Sequence, residues 1–330
     1  MRASTLTLLV AATAGLVVSG ALGLRAADAA DKASKLPRTS WGDPDLQGVW
    51  DYRTITPLER RPEVGDRELY TDQEIAQLEG RAAKRLDEAP DTSVQTNLVH
   101  ADYLTDPGRH VDESRRTSLI IDPKNGRVPP LTPDAQQRQQ TAAAARAAGG
   151  AVPGGGRVDS YLDRPMYERC ITRGLPATIL PTLYNNNIRI AQSPGYVAIV
   201  HEMIHETRVV PLGGTFGHVR SYLGESRGHW EGDTLVVETR NFNGRTGYRG
   251  SGESLVLTER YTRVAPDKID FRLTFDDRTQ WTQPWTVAYF MRVGEGELYE
   301  YACHEGNYGM RNILQEARDA ERGAAAPPKP

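Results

Sequence analysis

Between residues 187 and 293 the chain alternates apolar and polar positions, most plainly in Asp270-Phe-Arg-Leu-Thr-Phe275. A period of two puts successive side chains on opposite faces of a strand, so Phe271, Leu273 and Phe275 share one face. The same pattern predicts strands over Asn187–Gln192, Tyr196–His201, Thr207–Leu212, Ser226–Glu231, Thr234–Thr239, Ser254–Val264, Lys268–Asp276, Trp285–Val293 and Glu297–Cys303. Gly, Asp, Asn and Pro stand between most of them, and Trp230-Glu-Gly-Asp-Thr-Leu235 reads as a hairpin with Gly-Asp in its tight turn. Short, evenly spaced strands without helices between them predict a mainly β fold: an antiparallel sheet, closed barrel or sandwich.

Upstream, the period changes. Thr71-Asp-Gln-Glu74 has the spacing of a capping box, with a helix following to about Leu86 and Ile75, Leu78 and Ala82 along one side. Arg116–Asp122 reads as a strand, Pro123-Lys-Asn-Gly126 as a turn, and Val128–Leu131 as its return. Thr132 and Pro133 are N-cap and first residue of a second helix, rich in Gln and Ala. That helix runs into a glycine tract. A short amphipathic helix is expected over Asn312–Arg322. These breaks divide the chain into 1–29, 30–147 (a wrapping segment with two helices), 148–157 (a flexible loop), 158–316 (a β-barrel-like core) and 317–330 (a disordered tail).

Composition adds an address. Arg2, the apolar run Leu6–Leu24 and the small-x-small site Ala27-Asp28-Ala29 form an export signal over 1–29. This predicts a periplasmic or secreted protein with no stable membrane span after cleavage. With 40 basic against 43 acidic side chains, no cationic excess exists to neutralise phosphates, which argues against nucleic acid as a partner. Cys170 and Cys303 are the only cysteines, and an oxidising compartment favours their pairing.

Five stretches carry a resemblance: Arg169-Cys-Ile-Thr-Arg-Gly-Leu-Pro176, Tyr184-Asn-Asn-Asn187, Trp230-Glu-Gly-Asp-Thr-Leu-Val-Val237, Glu259-Arg-Tyr-Thr-Arg263 and Tyr299-Glu-Tyr-Ala-Cys-His-Glu-Gly-Asn-Tyr308. Over roughly 36–316 the chain resembles a family of secreted, largely uncharacterised bacterial proteins. That resemblance implies export and one folded unit, and no activity. Gly48-Val-Trp50 is similar to the Gly-x-Trp that opens the first strand of lipocalin-like (calycin) barrels, which implies a ligand cavity.

Candidate chemistry centres on histidine. His201-Glu-Met-Ile-His205 matches the zinc-peptidase pattern, but that chemistry requires a helix and the flanks, Tyr196-Val-Ala-Ile-Val200 and Thr207-Arg-Val-Val210, are strand-forming. An extended segment also places His201 and His205 on one face, where they could bind a divalent metal or act as acid and base. Hydrogen-bonded structural histidines are the competing reading. His304 and Glu305, beside Cys303, form a second catalytic candidate, with Asn307 and Tyr308 as donors to a ligand oxygen; satisfying loop amides is the alternative. Arg220, Arg227 and His229, with Arg245 and Arg249, could grip an anionic group or lie solvated on the surface. Trp281, Trp285 and Tyr248 could stack on a ring or pack the core. Two functions follow as expectations: a barrel protein holding a small organic ligand in its mouth, or a hydrolase or lyase built on His201, His205, His304 and Glu305.

Overall fold

A computed structural model describes residues 36–87, 105–148, 158–305 and 307–325. The expected export signal, most of the glycine tract at 148–157 and the last five residues lie outside the described residues. The chain divides into Met1–Asp45 and Leu46–Pro330. In the first unit, Trp41 Nε1 donates to Asp43 at 2.9 Å and Arg38 bridges to Pro44.

The second unit is mainly β. Its strands are β1 (Gly48–Asp51), β2 (Ile120–Asp122), β3 (Asn187–Ser193), β4 (Tyr196–His201), β5 (Thr207–Pro211), β6 (Glu225–Glu231), β7 (Thr234–Arg240), β8 (Val256–Ala265), β9 (Lys268–Asp276) and β10 (Trp285–Val293). Four helices accompany them: α1 (Asp72–Asp87), α2 (Pro133–Ala148), α3 (Leu175–Ile179) and α4 (Tyr308–Ala325). The ten strands form one sheet in the order β5-β4-β3-β1-β10-β9-β8-β7-β6, with β2 added on β10. Every strand ladder in it is antiparallel.

The ends of this path approach each other, which makes the sheet a nearly closed barrel. β5 and β6 run parallel there, joined by a Leu212–Gly228 bridge in which Gly213 N donates to Gly228 O at 2.7 Å. A Cβ on Gly228 would stand 2.9 Å from Leu212 Cδ2 and 3.1 Å from Val210 Cγ1, so the seam closes this tightly only over a glycine.

The lumen is a packed core. Phe275 and Trp285 stack at 3.9 Å between ring centroids, with Trp281 edge-on to both. Phe271 lies between Tyr261 at 4.8 Å and Tyr289 at 4.9 Å. Apart from Trp281, which lies in the β9–β10 connection, these rings come from the inward positions that alternation marks on β8, β9 and β10, and each removes a large apolar area from water. Trp281 and Trp285 therefore pack the interior, buried to 1% and 0% exposure.

Tyr196–His201, Lys268–Asp276 and Trp285–Val293 match their expected bounds residue for residue. The Gly232-Asp233 turn closes β6 onto β7 with Glu231 opposite Thr234 and Gly232 at φ 60°. The capping box forms: Glu74 N donates to Thr71 Oγ1 at 3.2 Å and Thr71 N to Glu74 Oε2 at 2.8 Å. Thr132 caps α2 through Ala135 N at 3.2 Å.

Four expectations change. β1 is not part of a wrapping segment: it pairs with both β3 and β10 in the middle of the sheet, so the barrel draws on chain before residue 158. Residues 297–303 form no strand, because both edges of β10 are already taken by β9 and β1. Val128–Leu131 does not return on β2; Leu131 instead bridges Trp281. Helix α4 continues through 317 to Ala325, where a disordered tail was expected.

Candidate functional site

The upper mouth of the barrel is where the C-terminal ends of β4, β7 and β9 lie. The chain from Cys170 to Leu180 folds into it. Leu175, Pro176, Thr178 and Ile179 of α3 are buried. Tyr52 Oη donates to Thr178 O at 2.7 Å, and Tyr289 Oη donates to Ile179 O. On the other flank Glu206 accepts from Arg173 N at 2.8 Å and from the Thr172 hydroxyl. Gly174 sits at φ 83°, and a Cβ there would lie 2.8 Å from Thr246 O, so the plug passes under the β7–β8 loop at backbone contact distance. The mouth is thus filled by the protein's own chain.

A disulfide joins Cys170 to Cys303 across 133 residues, with the Cα atoms 5.6 Å apart. It fastens the loop after β10 to the start of the plug. Asn307 supports the same junction: its Nδ2 donates to Glu168 O at 3.0 Å and reaches Cys170 Sγ at 3.3 Å, while its Oδ1 accepts from Met310 N at 3.3 Å and caps α4.

Beside the disulfide is an open trough of about 520 Å³ lined by Tyr167, Glu168, Asn185, Glu300, Tyr301 and Asn307. The Tyr167 hydroxyl bonds to that of Tyr184 and lies 3.3 Å from that of Tyr301. Partial burial raises the pKa of all three phenols, so they stay protonated and able to donate near neutral pH. Arg173 lies 5.2 Å from the centre of the Tyr167 ring and donates to Met203 Sδ at 3.5 Å. Glu168 is neutralised by Arg164, which approaches it at 2.8 Å.

The two histidines of the His-Glu-x-x-His stretch do not share a face. The stretch is the turn of the β4–β5 hairpin, with His201 N donating to Glu206 O at 2.9 Å. Met203–His205 is one 3-10 turn in which Ile204 and His205 take φ 58° and 52°. That reversal breaks the alternation: His201 points inward at 1% exposure, while His205 is exposed. A zinc-peptidase helix is absent here, because the segment is strand, turn and strand. Among the described residues no group of three or more His, Cys, Asp or Glu side chains is placed to hold a metal ion.

His201 is held neutral. Burial pushes its pKa down to about 3, and the nearby Arg208 cation adds to the shift. Neither ring nitrogen makes a hydrogen bond of normal geometry. His205 ties the rim together: its Nε2 accepts from Tyr301 N at 2.6 Å, which fixes the hairpin turn to the disulfide loop. His304 and Glu305 are exposed, and among the described residues neither side chain bonds to His201 or His205. The four candidate catalytic residues are therefore one interior ring, one loop tether and two surface groups.

The other candidates make local pairs and packing contacts. Arg220 pairs with Glu253 at 2.9 Å, Arg227 with Glu225 at 2.5 Å and His229 with Glu231 at 3.1 Å. Arg249 pairs with Glu59 at 2.6 Å, and Tyr248 packs on Phe275 at 5.5 Å. Tyr308 is 69% exposed at the start of α4. Sequence reasoning missed Arg173, Tyr167 and Tyr184. The signal was present in the Arg169–Pro176 motif, whose second arginine has no charged neighbour in sequence to explain it.

One internal ion pair was also missed. Arg208 on β5 and Glu259 on β8 meet in a two-pronged contact at 2.7 and 2.8 Å, both buried, with Tyr261 Oη donating to the same carboxylate at 2.6 Å. Arg208 also donates to Ser226 Oγ on β6 at 3.3 Å, so a guanidinium bridges the barrel seam. No family model, no curated protein and no solved structure matches this chain.

Proposed function

We propose that this is an exported binding protein that takes a small organic ligand on the disulfide-stapled rim of its plugged barrel. The observation that carries this is the pair of phenols, Tyr167 and Tyr301, that line an open trough held in place by the Cys170–Cys303 bond, their hydroxyls 3.3 Å apart and that of Tyr167 bonded also to Tyr184. Polar groups fixed on a cross-linked frame bind without a large ordering cost, and neutral phenols donate to a ligand oxygen at any pH below their raised values. The disulfide suits an oxidising compartment, in keeping with periplasmic or secreted residence. Among the described residues no helix is long and apolar enough to cross a membrane.

A panel of small aliphatic and aromatic alcohols and acids, screened by thermal shift, tests this reading. Some members should stabilise the protein, and the Tyr167→Phe/Tyr301→Phe variant should bind them several-fold more weakly, as the loss of one or two hydrogen bonds dictates. Equal affinity in the variant would contradict the proposal. The hydrolase or lyase reading rests on His201, His205, His304 and Glu305, which no observed contact unites.

A further inference from the structure

Next to the tyrosine trough, and sharing Asn307 with it, runs a second groove of about 580 Å³ lined by Tyr161, Met310, Arg311, Leu314, Gln315 and Arg318. Its chemistry differs from that of its neighbour. The lining contains two guanidinium groups and no carboxylate. The floor is apolar, from the Tyr161 ring, Met310 and Leu314. The charges lie where an ordinary surface helix would not put them. Arg311, Leu314 and Arg318 follow one another at i, i+3 and i+7 on α4, so the arginines share the groove-facing stripe with the leucine.

A third guanidinium adds to this field. Arg169 lies 5.3 Å from the centre of the Tyr161 ring and contacts Met166 Sδ at 3.8 Å, and among the described residues it has no carboxylate partner. Arg318 is committed to structure: it donates to Val158 O at 3.1 Å and to Asp159 O, which anchors α4, and it pairs with Glu321 at 3.5 Å. Arg311 is exposed on the groove with no side-chain partner among the described residues. Arg311 and Arg169, beside an apolar floor and with no carboxylate partner among the described residues, are complementary to a ligand that brings both an apolar body and its own negative charge.

We infer that the ligand is a small amphiphilic monocarboxylate, its apolar part on Tyr161, Met310 and Leu314 and its carboxylate on Arg311. This rests on the rim-binding reading above and names the class of ligand. The class could arrive as a free acid in solution or as the surface of an anionic bilayer; Arg311 is the one lining guanidinium without a partner among the described residues, which matches a single carboxylate where an anionic bilayer would engage several cations, and this favours the free acid.

Titration calorimetry with octanoate, octan-1-ol and vesicles containing phosphatidylglycerol tests it on the oxidised full chain. Octanoate should bind at least tenfold more tightly than octan-1-ol, and Arg311→Gln should reduce that preference to about twofold while leaving thermal stability unchanged. Arg311→Lys should retain part of it. Equal binding of octanoate and octan-1-ol, unaffected by Arg311→Gln, would overturn the anionic assignment while leaving rim binding intact. Binding of neither, with the alcohols of the wider panel still sensitive to Tyr167→Phe/Tyr301→Phe, would overturn the groove and keep the trough. Binding to vesicles without binding to octanoate would also overturn it, and loss of all binding in every arm would remove the rim reading itself.

Discussion

Phe275 and Trp285 lie stacked on one wall of the lumen, while at the β5–β6 seam Arg208 reaches across to Ser226 on β6 and Glu259 on β8. Both regions are fully buried, yet they hold together for different reasons. On the aromatic wall each ring contributes area and contacts independently, so its stability is spread over many small terms. At the seam two charges have left water, and their attraction offsets that cost only while both are present. Packing of the first kind tolerates gradual change. The second kind is close to all-or-none, and it sits where the barrel has the fewest backbone hydrogen bonds.

The largest expected effects separate these two kinds of packing. Arg208→Ala should cost about 3–5 kcal/mol in denaturant unfolding, since Glu259 is left charged and alone. Adding Glu259→Leu to Arg208→Met should recover most of that loss, because an apolar pair of similar volume replaces the ions. Phe275→Ala should cost about the same, roughly 3–5 kcal/mol, but no second substitution at Trp285 should restore it. If the Arg208/Glu259 double variant were as unstable as the single one, the distinction between the two walls would fail.

Acid should act through the buried imidazole of His201, beside Arg208. His201 takes a proton near pH 3 in the folded chain and near its ordinary 6.5 when unfolded. Between those values the unfolded chain holds more protons, so stability falls as pH falls, by up to about 1.4 kcal/mol per unit. Glu206 works in the opposite direction: burial raises its pKa, so the folded chain holds the extra proton, and its contribution is present in acid and lost as pH rises. Urea midpoints from pH 7 to pH 4 should therefore decline in the wild type and flatten in His201→Leu. An unchanged slope in the variant would assign the acid sensitivity elsewhere. Smaller again, Gly228→Ala should cost about 1–3 kcal/mol by pushing Leu212 and Val210 away from the seam, against a few tenths for an exposed glycine such as Gly232→Asn at the β6–β7 turn.

This contrast also marks how far sequence carried. The aromatic wall was legible because Phe271, Leu273 and Phe275 alternate with polar residues and fall inside as the pattern requires. The seam was not. In Thr207-Arg-Val-Val-Pro211 the inward positions are Arg208 and Val210, while Val209 is 62% exposed, so hydrophobicity alone gives the wrong phase. Arg208 and Glu259 stand 51 residues apart, and nothing local to either announces the other. The disulfide was legible from two cysteines and the expectation of export, but its role in stapling a plug was not, since α3 is only five residues long and shows no period. His201 and His205 were expected on one face because strands alternate; the left-handed residues at 204 and 205 that part them have no sequence signature, an isoleucine being a poor choice for that conformation. The clustered tyrosines escaped for a related reason: Tyr167, Tyr184 and Tyr301 come from three separate segments that only the folded rim assembles.

The claim on which the functional account depends is that ligand binds on the rim while the lumen stays full. Amide chemical-shift mapping of the oxidised protein during titration with octanoate and benzyl alcohol addresses it directly. The account predicts the largest shifts at residues 161, 167–170, 301–303 and 308–318, with the amides of Phe271, Phe275 and Tyr289 unmoved. Large shifts along β8, β9 and β10, with the rim unmoved, would contradict it.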